Sequence, residues 1–248
     1  MKENPFAREA EAAFKEFVMR PEFPCLGAKA AINSDSYSLR TFPELGSAAG
    51  TAALATGLYD FTRLVGRDSV EPKQRTTSGP GGSTEPRPTD YATFVAIFER
   101  PRDLDETQFE DLLWKQLRAL HANDSARFDW DPNVRSDPAD PYFSFSFGSQ
   151  ALYVIGMHPN SSREARRFPW PTLVFNPHEQ FERLRADGKW KRMQETIRER
   201  DFELQGSINP MLSDFGMQSE ARQYSGRAVE DHWQAPFPKA SGKCPFAH

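Results

Sequence analysis

The chain has 248 residues, 38% of them apolar and 27% charged, and 31 Lys and Arg against 35 Asp and Glu leave a net charge of −4. A chain of this length can bury about 70–75% of its unfolded surface without disulfide staples, and its two cysteines, Cys25 and Cys244, make no paired framework. The acidic balance argues against nucleic acid as a partner, and apolar runs such as Ala48–Leu58 fall short of the ~20 residues a bilayer span needs, which argues against a membrane.

The N-terminal segment carries acids and lacks the apolar stretch of a secretory signal, so a cytoplasmic protein is expected. Within it, Phe6, Ala10, Ala13, Phe14, Phe17 and Val18 recur every three or four residues and predict an amphipathic helix over Pro5–Met19. Pro21 ends that helix, and Phe23–Ala31 predicts a second, short one with Cys25 at its N-terminus. Ser47–Val65 is rich in small residues and predicts a helix that packs closely against a neighbour. Residues 71–90 are dense in Pro, Gly, Ser and Thr, the composition of a mobile loop. The apolar run YATFVAIFE that follows predicts a strand buried on both faces. Asp103–Leu120 then shows helical spacing of Phe109, Leu112, Leu113, Leu117 and Leu120, with Asp103 or Asp105 as cap.

Three Asp-Pro steps make 129–141 a turn-rich crossing. Tyr142–Phe147 and Ala151–Met157 flank Gly148-Ser149 and predict a hairpin. Thr172–Phe175 predicts another strand, Asn176-Pro177 a helix start running to Leu184, and Gly188 to about Leu204 a final helix before an irregular tail at 232–248. Four strands in hairpin-like order among helices point to one α+β domain over 1–248, an antiparallel sheet of about four or more strands packed with helices.

Walker A, GxGxxG, GxSxG, HExxH and CxxC signatures are all missing, and the absence of CxxCH speaks against covalent haem. Chemistry is therefore sought in polar segments at element ends. His158, in GMHP, ends a strand just before Pro159, and is either a hydrogen-bonded core histidine or an axial ligand of iron. His178 falls in the first turn of a helix, where the dipole favours the neutral ring. Cys25 at a helix start has the setting that favours a thiolate, able to ligate iron or to attack, though free cysteines are commonly just buried. Arg163, Arg166 and Arg167 follow His158 closely and form either a solvated face or a set of anion holders. Asn209, Asp214, Glu220, Arg222, Gln223 and Tyr224 form a polar stretch broken by Gly206 and Gly216, the composition of a site-lining loop.

The strings FPC, FSFSFG, GMHPNSSREARRF, LVFNPHEQFERLR, GSINPML and DFGMQSEARQYSGR, in this order over nearly the whole chain, resemble the YqcI/YcgG family. That family includes proteins that look like haem-dependent N-hydroxylases of cycloserine and guanitoxin biosynthesis. The resemblance implies a haem b monooxygenase that uses dioxygen and an external electron donor to hydroxylate a guanidino or amino nitrogen of arginine or a similar small molecule. It differs from the family in its tail, where Trp233 precedes QAPF and a CPF appears only at Cys244. The resemblance makes His158 the first choice of iron ligand and Cys25 the second, with His178 a further candidate. Arg163, Arg166 and Arg167 would hold propionates, Phe145, Phe147 and Phe175 would wall the porphyrin, and Glu179, Asp214 and Glu220 would face the substrate cation. Two other classes stay open: a haem-binding sensor or carrier, and a Cys25-dependent transferase or hydrolase.

Overall fold

The computed structural model describes residues 4–70 and 91–238, so the loop expected at 71–90 and the end of the expected tail, Cys244 included, lie outside the described residues. Helix α1 spans Pro5–Met19 as the spacing predicts; Asn4 caps it by accepting the Phe6 N–H at 3.1 Å, a contact worth about 1 kcal/mol. Its Ala10, Phe14, Phe17 and Val18 are buried. Helix α2 is Leu26–Asn33, with Cys25 as its N-cap. Helix α3, Ala48–Val70, starts after Ser47, whose hydroxyl accepts the Gly50 N–H at 3.1 Å. A Cβ on Gly57 would sit 2.9 Å from the Phe94 ring, so the missing side chain lets α3 lie directly on the sheet, the close packing its composition predicts.

Strand β1, Tyr37–Glu44, carries no clear sequence signal, because its burial does not alternate and Pro43 interrupts it. It forms at the sheet edge, where a missing N–H removes no ladder bond. Strand β2 is Thr93–Arg100, followed by α4, Glu106–Asp124, which Asp105 and Gln108 close with a reciprocal capping box. Strands β3, Phe145–Phe147, and β4, Gln150–Met157, form the expected hairpin, and β5 is Thr172–Pro177. Helices α5, His178–Ala186, and α6, Trp190–Gln205, follow. Gly206, at φ 72°, ends α6 in the left-handed conformation. Asn176 stays in β5 instead of capping α5, since Pro177 holds the cap position.

The sheet order is β1-β2-β5-β4-β3. The last three pairings are antiparallel, as expected, but β1 runs parallel to β2 with α3 in the connection, which makes the α+β sheet mixed. Successive residues point to opposite faces. Phe94, Ala96, Phe98, Leu152, Val154, Leu173 and Phe175 meet α3 and α4 in one aromatic-rich core with Trp114 and Tyr224. Val95, Ile97, Met157 and Val174 cluster with Phe14 and Phe17 of α1 and with Phe168, whose ring meets both α1 phenylalanines edge-on. That second face is only partly filled, and the remainder is a cavity.

Candidate functional site

A cavity of about 290 Å³ lies between the second sheet face, α1, α2, α5, α6 and the irregular segment 207–223, near the lower end of the ~300–1,000 Å³ typical of ligand pockets. Its walls are largely apolar, with Phe23, Ile155, Met157, Phe181, Trp190 and Ile197 prominent. Of the polar stretch expected to line a site, Asn209, Asp214, Glu220 and Gln223 line this cavity. Arg222 and Tyr224 stand behind it: Arg222 donates to the Glu230 carbonyl at 2.9 Å, and Tyr224 is fully buried.

Cys25 is a free, half-buried thiol on the cavity wall. Its Sγ accepts the Ala28 N–H at 3.4 Å, which makes the cysteine itself the α2 cap. Burial pushes this thiol up, while the Ala28 and Gly27 N–H groups and the Arg166 charge favour its thiolate. The cysteine is thus held neutral by the apolar walls and prepared for ionisation by the helix end and one nearby cation.

The three arginines separate. Arg163 lines the cavity but is bound to Asp201 at 2.6 Å and to Ser207, a buried pair that fixes the start of the 207–223 segment to α6. Arg167 does not line the cavity and pairs with Glu164 at 2.7 Å on the surface. Arg166 alone combines burial with the cavity wall and no carboxylate in ion-pair contact among the described residues. Its guanidinium donates to the main-chain carbonyls of Gly156 and Tyr224 at 3.3 and 3.1 Å. Gly226 makes room for it: at φ 88° a Cβ there would stand 2.7 Å from the Arg166 Cδ. Of the expected anion holders, Arg163 and Arg167 are therefore already occupied.

The carboxylates separate as well. Glu220 is 5% exposed and lines the cavity. Tyr224 donates to its Oε1 at 2.5 Å while accepting the Phe145 N–H at 3.0 Å, which fixes the direction of the phenol proton. Burial pushes the Glu220 carboxyl up to about 8, against the Tyr224 and Ser144 hydroxyls and the Arg185 charge, so it is mostly protonated at neutral pH. Asp214 lines the cavity with an exposed side chain held by Gln194 and by Arg198 at 3.3 Å. Glu179 is not among the residues that line the cavity and lies 3.7 Å from Arg183. His178 does line the cavity, its ring tilted by 56° against the Phe215 ring at 4.4 Å between centroids, with Nε2 3.2 Å from Glu182. Burial lowers its proton affinity and outweighs the Glu182 charge.

His158, the first choice of iron ligand, lies on the face of the sheet opposite this cavity. It continues the Leu152, Val154 and Gly156 register of β4, is 1% exposed, and stacks 4.4 Å from the Phe109 ring of α4. Its Nδ1 has no hydrogen-bond partner, and burial keeps the ring neutral. Phe145, Phe147 and Phe175 are fully buried in the α3/α4 core and do not wall the cavity. The pleat explains all four corrections, since each falls on the face opposite Tyr153, Ile155 and Met157.

Tyr153 escaped the sequence reading. It donates to Gln223 Oε1 at 2.8 Å, its ring meets Phe181 and Tyr224, and its phenol feels Arg166, Glu220 and Cys25. A tyrosine amid the apolar residues of ALYVIGM was the available signal. Among the described residues no three His, Cys, Asp or Glu side chains cluster to chelate a metal, and no helix is long and apolar enough to cross a membrane.

No solved structure matches the chain. A curated relative, the uncharacterized protein YqcI of Bacillus subtilis (strain 168), is 30% identical over 159 residues, 60% of this chain, and the match spans 62% of the relative's length. The YqcI/YcgG family model matches residues 14–238, from α1 to the end of the described chain, and on that extent the protein belongs to the YqcI/YcgG family.

Proposed function

We propose that the protein is a haem-dependent monooxygenase that N-hydroxylates a guanidino or amino nitrogen of arginine or an arginine-like small molecule, with dioxygen and electrons from an external donor. The observation that carries this reading is one apolar cavity faced by a soft thiol, a guanidinium without a carboxylate, and a buried carboxyl. The thiol and the apolar walls suit haem b, whose iron asks the chain for a soft protein donor in an apolar setting. Cys25 would hold the iron in preference to His158, because Cys25 lines the cavity and the histidine packs against Phe109 on the other face of the sheet. When bound, haem supplies the activation of dioxygen.

The chain's own residues do the rest. Burial keeps the Cys25 thiol neutral, and the Ala28 and Gly27 N–H groups and the Arg166 charge work in the opposite direction, toward the thiolate. Arg185 and Arg198 line the cavity with partly exposed side chains, and propionates there would take the place of their surface partners Glu182 and Asp214. Ile155, Met157, Phe181 and Trp190 exclude water. Glu220 and Asp214 are the remaining carboxylates for a substrate cation.

Protein expressed with adequate haem supply is expected to show a Soret band, with a ferrous–CO band at the position of thiolate ligation that is lost in Cys25→Ser. Arginine with reductant and oxygen is expected to gain one oxygen by mass spectrometry. A Soret band without turnover of any guanidino or amino compound would favour a haem sensor or carrier. A colourless protein that hemin does not change, yet that Cys25 alkylation inactivates, would favour the transferase or hydrolase class.

A further inference from the structure

We propose that Glu220 is the counter-ion of the cavity for a cationic nitrogen of the ligand, and that each such ligand displaces one proton from its carboxyl to solvent as it binds. This deepens the reading above and rests on its choice of substrate class, but its test needs no haem.

The geometry carries it. Glu220 sits in a short 3₁₀ turn, Glu220–Gln223, at the cavity wall, with the neutral Tyr224 phenol as its close partner. Because Tyr224 already accepts the Phe145 N–H, its own proton can go only toward Glu220 Oε1. A carboxyl taken out of water in this way either keeps its proton or acquires a cation. The groups that face it are Tyr224, Tyr153 from β4, the Ser144 hydroxyl ahead of β3 and, from α5, Arg185 at longer range. Arg185 is itself paired with Glu182, and it does not keep the carboxyl ionised. A guanidinium cannot lose its own proton near neutral pH. If it entered beside a protonated Glu220, one net positive charge would be buried; if Glu220 releases its proton, the pair is neutral. The balance is one O–H bond broken, one proton to solvent and one ion pair formed, with no electron transfer. Asp214 cannot share this behaviour, since it is exposed and already paired with Arg198.

The experiment is calorimetric titration of the full-length, haem-free chain with arginine, agmatine and lysine, in two buffers of different ionisation enthalpy, with citrulline as the neutral isostere of arginine. The expected result at pH 7 is release of about one proton per bound cation and none for citrulline. Affinity for the cation is expected to rise about tenfold per pH unit up to about pH 8, where the Glu220 proton is lost, and then to level off. In Glu220→Gln the release and the pH dependence disappear, and the preference for arginine over citrulline falls at least about tenfold. Should that variant not fold, the wild-type proton count decides alone. Cation binding without proton release, release that disappears in Asp214→Asn instead, or no binding of any of the three cations overturns the inference. A protein that fails to take up haem yet releases the proton sinks only the oxygenase reading.

Discussion

The two faces of the sheet are built from the same strands and differ in what covers them. Against α3 and α4 the strands present phenylalanines and leucines, and the layer closes around Trp114, Phe109 and Tyr224, all of them fully buried. Against α1, α2, α5 and α6 they present Tyr153, Ile155, Met157, Val174 and Asn176, and the layer leaves a cavity into which Cys25, Arg166 and Glu220 project. One face gains its stability by dispersion and water exclusion; the other keeps desolvated polar groups that are held by main-chain atoms, phenols and amides. Burial alone therefore does not mark a functional residue in this fold. His158 is more deeply buried than Glu220 and belongs to the filled face.

That contrast can be broken or sharpened by substitution. Phe175→Ala, on the filled face, is expected to cost about 3–5 kcal/mol, read from urea unfolding, with cation binding per folded molecule unchanged. A loss of binding equal to the loss of stability would show that the two faces are one energetic unit. Arg163→Ala leaves Asp201 buried without its partner and is expected to cost about 3 kcal/mol, together with faster amide exchange over 207–212. Unchanged exchange there would mean that the pair does not hold the loop.

Glu220 gives the cavity face a pH signature. Its carboxyl titrates near 8 in the folded chain against an ordinary 4.5, so the folded state binds the extra proton between these values. Its contribution to stability must then fall as pH rises through that window, by at most about 1.4 kcal/mol per pH unit. Glu220→Gln is expected to remove this fall, measured as urea midpoints at pH 5, 6.5 and 8, while Phe175→Ala keeps it. The smallest effect is expected at His158. With Nδ1 unpartnered, His158→Leu removes a desolvated nitrogen from an apolar layer and is expected to change stability by less than about 1.5 kcal/mol and leave any haem spectrum as it was. A lost Soret band in that variant would return the axial role to the histidine.

Much of the fold was legible because its signals are local. The period of Phe6 to Val18 sets α1 to the residue, an aspartate cap at Asp103 or Asp105 starts α4, where the structure uses Asp105, and Gly148-Ser149 turns the β3–β4 hairpin. Strand β1 was not legible, because an edge strand half in water with an internal proline has neither alternation nor an apolar run; its partner β2 makes it a strand. Of the expected site residues, Cys25, His178, Arg163, Arg166, Asp214 and Glu220 all line one cavity, Arg163 while paired with Asp201. His158 and the three phenylalanines failed for a shared reason: the sequence shows that alternate residues of β4 and β5 part to opposite faces, but not which face is filled.

Local chemistry in the chain, by itself, determined where most helices begin, where the strands other than β1 run, and that a thiol would stand at a helix end, since these depend on neighbours within a few residues. Which face stays hollow was decided only by tertiary packing, because it depends on how helices far apart in the chain divide the two sides of the sheet. The same packing separated Arg166 from Arg163, which have similar local context but different distant partners, two main-chain carbonyls for the one and Asp201 for the other. Local pattern fixes the direction in which a side chain leaves the backbone, and only the assembled fold determines what it meets there.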